Sequence, residues 1–149
     1  MPNVKNLQFE VTIDAPAAKV WDTMFGQDTY GIWTEGFCEG SRFEGTWDQG
    51  SRMRFLEASG NGMVSEIAES RPHEFISICH LGAIKDGVED TESDAVKEWA
   101  PAYENYSFRE VDGATHVVID QECDEKYEQM MNDCWADALS RLKKLCEGS

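Results

Sequence analysis

Cys79 and His80 stand side by side in "FISICHLGAI", and a thiol next to an imidazole is the pair from which a nucleophile is commonly made. On a strand, neighbours point to opposite faces, so these two cannot act as thiolate and base. The other histidines, His73 in the turn "RPHE" and His116 at the start of "HVVIDQEC", read as a surface group and a structural one. Either His80 or His116 could face a cavity if its strand is turned that way. Carboxylates abound because the chain is acidic, but Glu66 in "MVSEIAE" stands in an apolar stretch. Turned inward it would be desolvated and its pKa raised; turned outward, the weightier reading, it is a solvated side chain. Metal-ligand spacing of the His-Glu-x-x-His kind is lacking, and "ASGNGMV" reads as a hairpin turn, not as a phosphate cradle opening a helix. The sequence therefore assigns no catalytic residue, no metal and no cofactor.

The large apolar side chains remain. Trp33, Phe55, Phe75, Tyr106, Met131 and Trp135 are the expected lining of a binding cavity, because sites for small molecules are concave and mostly apolar. The competing reading is that they fill a solid core.

The elements that must position them follow from periodicity. Leu7, Phe9, Val11 and Ile13 alternate with polar residues as in a half-buried strand. "DAPAAKVWDTMFG" then reads as a helix with Pro16 in its first turn, Asp14 where the dipole favours an anion, and Gly26 as the stop. A short second helix carries Tyr30, Trp33 and Phe37. Turn signals at "DQGS", "SGNG", "RPHE" and "DGAT" separate further strand-like runs, giving about seven antiparallel strands in all. Tyr127, Met131, Cys134, Trp135, Ala138, Leu139, Leu142 and Leu145 recur at helical spacing after Asp124, a plausible cap, and predict a closing helix of about 22 residues. Between two strands lies "KDGVEDTESDAVKEWAPA", with six acids and a candidate helical turn from Asp94 to Trp99. It reads as a solvated acidic loop or as a lid.

The formal charge of -16, from 29 acids against 13 bases, makes nucleic acid and anionic membranes poor partners. No apolar run suits a signal peptide or membrane span, so a cytoplasmic location is expected. Five scattered cysteines, Cys38, Cys79, Cys123, Cys134 and Cys146, are expected as reduced thiols.

The order strand, helix, helix, strands, long helix resembles the SRPBCC or START-like superfamily, the α+β helix-grip fold shared with birch-pollen allergens and polyketide cyclases. Within it, "IDAPAAKVWD", "YGIWTEGF", "NGMVSEIAESRPHEFISI", the stretch from Lys85 to Ile119, and "WADALSRLKKLCE" resemble homologues of the activator of the heat-shock protein 90 ATPase. The resemblance implies one domain over residues 1–149 that binds a small hydrophobic or amphipathic molecule between sheet and C-terminal helix, as carrier or sensor. Two alternatives stand beside it. One is a chaperone-interacting module that uses the acidic loop from Asp86 to Glu98. The other is a cofactor-free cyclase or hydrolase with His80, Glu66 or Tyr106 in the cavity. A homodimer through an exposed strand edge or the Trp-bearing loop is left open.

Overall fold

A computed structural model describes residues 4–37 and 40–148. Cys38 lies outside them. Eight strands form one antiparallel sheet: β1 (Val4–Ile13), β2 (Arg42–Glu44), β3 (Arg52–Leu56), β4 (Gly62–Arg71), β5 (Phe75–Lys85), β6 (Val88–Asp90), β7 (Ala102–Val111) and β8 (Ala114–Asp124). Their order is β1-β8-β7-β5-β4-β3-β2, with β6 paired to the end of β5. The helices are α1 (Ala17–Phe25), α2 (Gln27–Trp33), α3 (Asp94–Lys97) and α4 (Glu128–Glu147).

Sequence parity explains the sheet's inner face. Leu7 and Ile13 of β1 are buried and Phe9 and Val11 half-buried, whereas Gln8, Glu10 and Thr12 are exposed. The alternation of β8 buries Val117, Ile119 and Gln121, and that of β7 buries Ala102, Tyr106 and Phe108. Against this face α1 packs Val20, Trp21, Met24 and Phe25, and α4 packs Trp135, Ala138, Leu139, Leu142 and Cys146. Each such side chain removed from water contributes on the order of 1.5–3 kcal/mol, so one continuous core fixes helix and sheet together. A separate small cluster of Leu56, Val64 and Ile84, with Leu81 against it, lies apart from that core.

The helix starts depart from simple expectation. Asp14 makes no side-chain cap on α1; the free amide of Ala17 donates to Glu110 Oε1 at 2.7 Å, while the Asp14 amide donates to Glu147 Oε2 at 2.8 Å and so ties the beginning of α1 to the end of α4. Asp124 caps a single 3-10 turn, Glu125–Tyr127, by accepting from Lys126 N, and α4 proper begins at Glu128. Its 20 residues span roughly 30 Å. Gly36 lets the turn after α2 press against this helix: a Cβ there would stand 2.8 Å from the Ala138 nitrogen.

The acidic segment is more ordered than a bare loop. β6 and α3 lie within it, Ser93 caps α3, Val96 is buried, and Glu89 receives both Arg52 and Arg54 of β3 at 2.9 and 2.8 Å. Hydrogen bonds from the two guanidinium groups hold the Glu89 carboxyl below its ordinary range. None of Cys79, Cys123, Cys134 and Cys146 forms a disulfide.

Candidate functional site

A cavity of about 320 Å³ lies where the N-terminal half of α4 faces the sheet. Met130, Met131, Cys134 and Trp135 form its helical wall, and Phe25, Tyr30 and Trp33 bring in α1 and α2. Phe55, Met63, Ile78, His80, Glu104, Tyr106 and Gln121 form the sheet side. Met130, 49% exposed, marks where the cavity reaches the surface. Aromatic pairs stiffen the walls: Phe25–Trp47 at 4.4 Å, Phe43–Trp47 at 4.9 Å, Tyr30–Phe43 at 5.1 Å and Phe37–Trp135 at 4.8 Å between ring centres. Such pairs contribute about 0.5–1.5 kcal/mol each beyond buried area.

Of the six side chains expected from the sequence, Trp33, Phe55, Tyr106, Met131 and Trp135 come together around this space. Phe75 does not. Ile76 and Ile78 of β5 point into the core, and the strand's alternation places Phe75 outside it, half-buried beneath the Arg71 guanidinium. Glu66 is exposed and paired across the sheet with Cys79. His73 sits in a turn with φ of 70°, and His116 contacts Thr12 Oγ1 on the exposed side.

His80 is the histidine that reaches the cavity, and it arrives with partners. Its Nδ1 lies 2.7 Å from Ser65 Oγ and its Nε2 lies 3.0 Å from Glu104 Oε1. Tyr106 donates its hydroxyl proton to Glu104 Oε2. A carboxylate can only accept, so Nε2 carries the proton towards Glu104. Ser65 pairs directly with His80 across β4 and β5, where a bulge skips Leu81, and Ile78 pairs with Glu104 across β5 and β7. Four side chains from three strands thus form one buried hydrogen-bonded chain. Burial first, and then the negative charge and hydrogen bond of Glu104, hold the Tyr106 phenol well above its ordinary value. A second polar contact closes the far side: Trp135 Nε1 donates to Gln121 Oε1 at 2.7 Å.

The order serine, histidine, glutamate invites comparison with an acyl-transfer triad, but the geometry speaks against it. Ser65 has no exposed surface, lies behind His80 and does not line the cavity, so a substrate carbonyl cannot approach its oxygen. Cys79 is on the opposite face from His80, and burial pushes its thiol up, away from the nucleophilic thiolate. Among the described residues no group of three or more His, Cys, Asp or Glu side chains is placed to hold a metal ion.

Ser65 and Glu104 are the members that the sequence reading passed over, and for Glu104 a signal can be named. In "AYENYSF" this glutamate is in phase with Ala102, Tyr106 and Phe108, all buried, and a carboxylate in an inward-facing series needs a partner.

An antiparallel sheet curved around one long C-terminal helix, with two short helices after the first strand, is the helix-grip fold of the SRPBCC class. Solved structures agree. The CV1439 protein of Chromobacterium violaceum superposes with a TM-score of 0.67 over 99% of both chains at 19% identity. The protein described as an Aha1 dimer from Colwellia psychrerythraea gives 0.72 over 96% of both at 16%. DynU16, from the dynemicin biosynthetic locus, gives 0.71 at 16%; the match takes 97% of this chain but only 48% of DynU16. At such identities these likenesses establish the fold alone. Residues 14–147 match the family described as activator of Hsp90 ATPase homolog 1-like protein, and the chain belongs to that family. No curated protein matches it in sequence. Among the described residues no helix is long and apolar enough to cross a membrane.

Proposed function

We propose that the protein binds a small hydrophobic or amphipathic molecule between the sheet and α4, within one domain over residues 1–149, as a carrier or sensor. The observation that carries this reading is the cavity itself: about 320 Å³, walled by aromatic and Met side chains, with a few convergent polar groups at its sheet side. Ligand pockets range over about 300–1,000 Å³ and have this composition, so the space suits a compact ligand of one or two rings. Met130 and Met131 at the surface end are unbranched and adapt to different shapes.

Native mass spectrometry of detergent-free protein from its own cells tests the reading. A reproducible adduct of a few hundred daltons, lost in Phe55→Glu protein that still folds, supports it. A bare mass together with no thermal shift across lipids and aromatic compounds counts against it.

The His80–Glu104–Tyr106 contacts favour a second reading, acid–base chemistry on the bound molecule without a cofactor. Glu104→Gln protein that still binds the ligand but no longer turns it over would separate catalysis from carriage; turnover unchanged by the substitution ends this reading. What speaks for a chaperone contact is the family description.

A further inference from the structure

We infer that the cavity selects ligands that donate hydrogen bonds, an amine or a hydroxyl on an apolar ring system, and rejects carboxylic acids, with Glu104 as the receiving group. This deepens the binding reading above and rests on it.

The polar inventory of the walls is one-sided. Among the described residues neither lysine nor arginine lines the cavity, while Glu57 and Glu104 do. Most of the buried donors around it are committed within the protein: His80 Nε2 and Tyr106 Oη to Glu104, Trp135 Nε1 to Gln121, Trp33 Nε1 to the Met24 carbonyl, and Thr34 Oγ1 to the Tyr30 carbonyl. Trp47 Nε1 has no partner but is itself covered. The other polar side chains of the lining, Ser41, Asn61 and Gln121 among them, are neutral, so charge on the walls is carboxylate charge. A carboxylate accepts about four hydrogen bonds and Glu104 receives two from the protein, so each oxygen can take another; the Tyr106 and Gln121 oxygens also keep acceptor capacity.

A ligand carboxylate entering here would meet the Glu104 carboxylate and, among the described residues, no lysine or arginine to replace its hydration, in a chain already carrying -16. An ammonium or hydroxyl would find the Glu104 carboxylate, whose side chain is only 12% exposed and whose charge is weakly screened. His80, itself held by Ser65, and Tyr106 anchor that carboxylate, so the receiving oxygens are fixed before the ligand arrives.

The test uses calorimetry at neutral pH with four probes on one ring system: naphthalenemethanol, its methyl ether, naphthylmethylamine and naphthoic acid. The alcohol should bind about tenfold more tightly than the ether, which isolates the donor from charge, and the amine at least about tenfold more tightly than the acid. Glu104→Gln should cut the amine-to-acid ratio by about tenfold, since the amide keeps an acceptor but loses the charge. An acid that binds as well as the amine, or an amine preference untouched by Glu104→Gln, overturns the assignment while leaving cavity binding intact. Failure of all four probes overturns the binding reading and this inference with it. Should Glu104→Gln not fold, the carboxyl resonance of Glu104 is followed by NMR in the unaltered protein. It should move with amine and alcohol; a shift with the acid and none with the amine overturns the proposal.

Discussion

Replacing Tyr106 by Phe removes one oxygen from a side chain that is 4% exposed and makes no other change of shape. The lost group is a donor to a charged acceptor, Glu104 Oε2. Hydrogen bonds to charged groups contribute about 1.5–3 kcal/mol, against about 0.5–1.5 kcal/mol for neutral pairs. The upper end applies where the abandoned acceptor stays dry; here the adjoining cavity admits water to Oε2, so the expected loss is near 1.5–2 kcal/mol. For a chain of this length that corresponds to a fall in Tm of roughly 3–8 °C. Urea unfolding followed by the fluorescence of the five tryptophans would measure it, with the slope unchanged and the midpoint lowered. The same substitution made in a Glu104→Gln background should cost about half as much or less, because the acceptor is then neutral. Equal costs in both backgrounds, or a cost below about 0.5 kcal/mol in each, would refute the charged hydrogen bond as the reason for the arrangement.

Three further outcomes follow from the same geometry. The Tyr106 phenol is held above its ordinary value of about 10, so folding stability from this group is complete below that pH and is lost as pH rises towards the folded value; phenolate absorbance should therefore show one tyrosine that ionises only with alkaline unfolding, and this late step should vanish in Tyr106→Phe. Glu89 is depressed by Arg52 and Arg54, so its contribution is present above the ordinary glutamate value of about 4.3 and is lost as pH falls through the folded value; the Tm difference between the parent and Glu89→Gln should shrink to nothing on acidification, and a constant difference would contradict the clamp. Gly62 opens β4 against β3, where a Cβ would stand 1.7 Å from the Phe55 carbonyl oxygen; Gly62→Ala should destabilise by at least about 1–3 kcal/mol in urea unfolding, and a neutral substitution would contradict the close approach.

The elements were largely legible because each depends on local alternation. Leu7 to Ile13, the turns at "SGNG" and "DGAT", the Asp94 turn and the long face from Met131 to Leu145 all announce themselves within a few residues. β6 did not, because its three residues, Val88–Asp90, are too few to show a period and owe their place to pairing with β5. The site was legible by half. Aromatic residues on known faces predicted much of the lining, but Phe75 lies one residue from the inward set of Ile76 and Ile78, and a strand shifted by one residue exchanges its faces. The polar chain needed more than periodicity: the bulge at Leu81 sets Ser65 against His80, and the β5–β7 register brings Glu104 within reach of His80. Those two are long-range pairings with no trace in a single stretch, whereas Glu104 and Tyr106 meet through the alternation of β7 itself.

Whether the space beneath α4 is a hollow that accepts a ligand is tested most directly by filling it. Cys134 lines the cavity from α4, and Cys134→Trp would put an indole into it. A hollow predicts that the variant folds with unchanged or raised stability and no longer binds naphthalenemethanol, which the parent binds. Overpacking that costs the roughly 1–3 kcal/mol typical of a filled core, or probe binding undiminished by the indole, would contradict it.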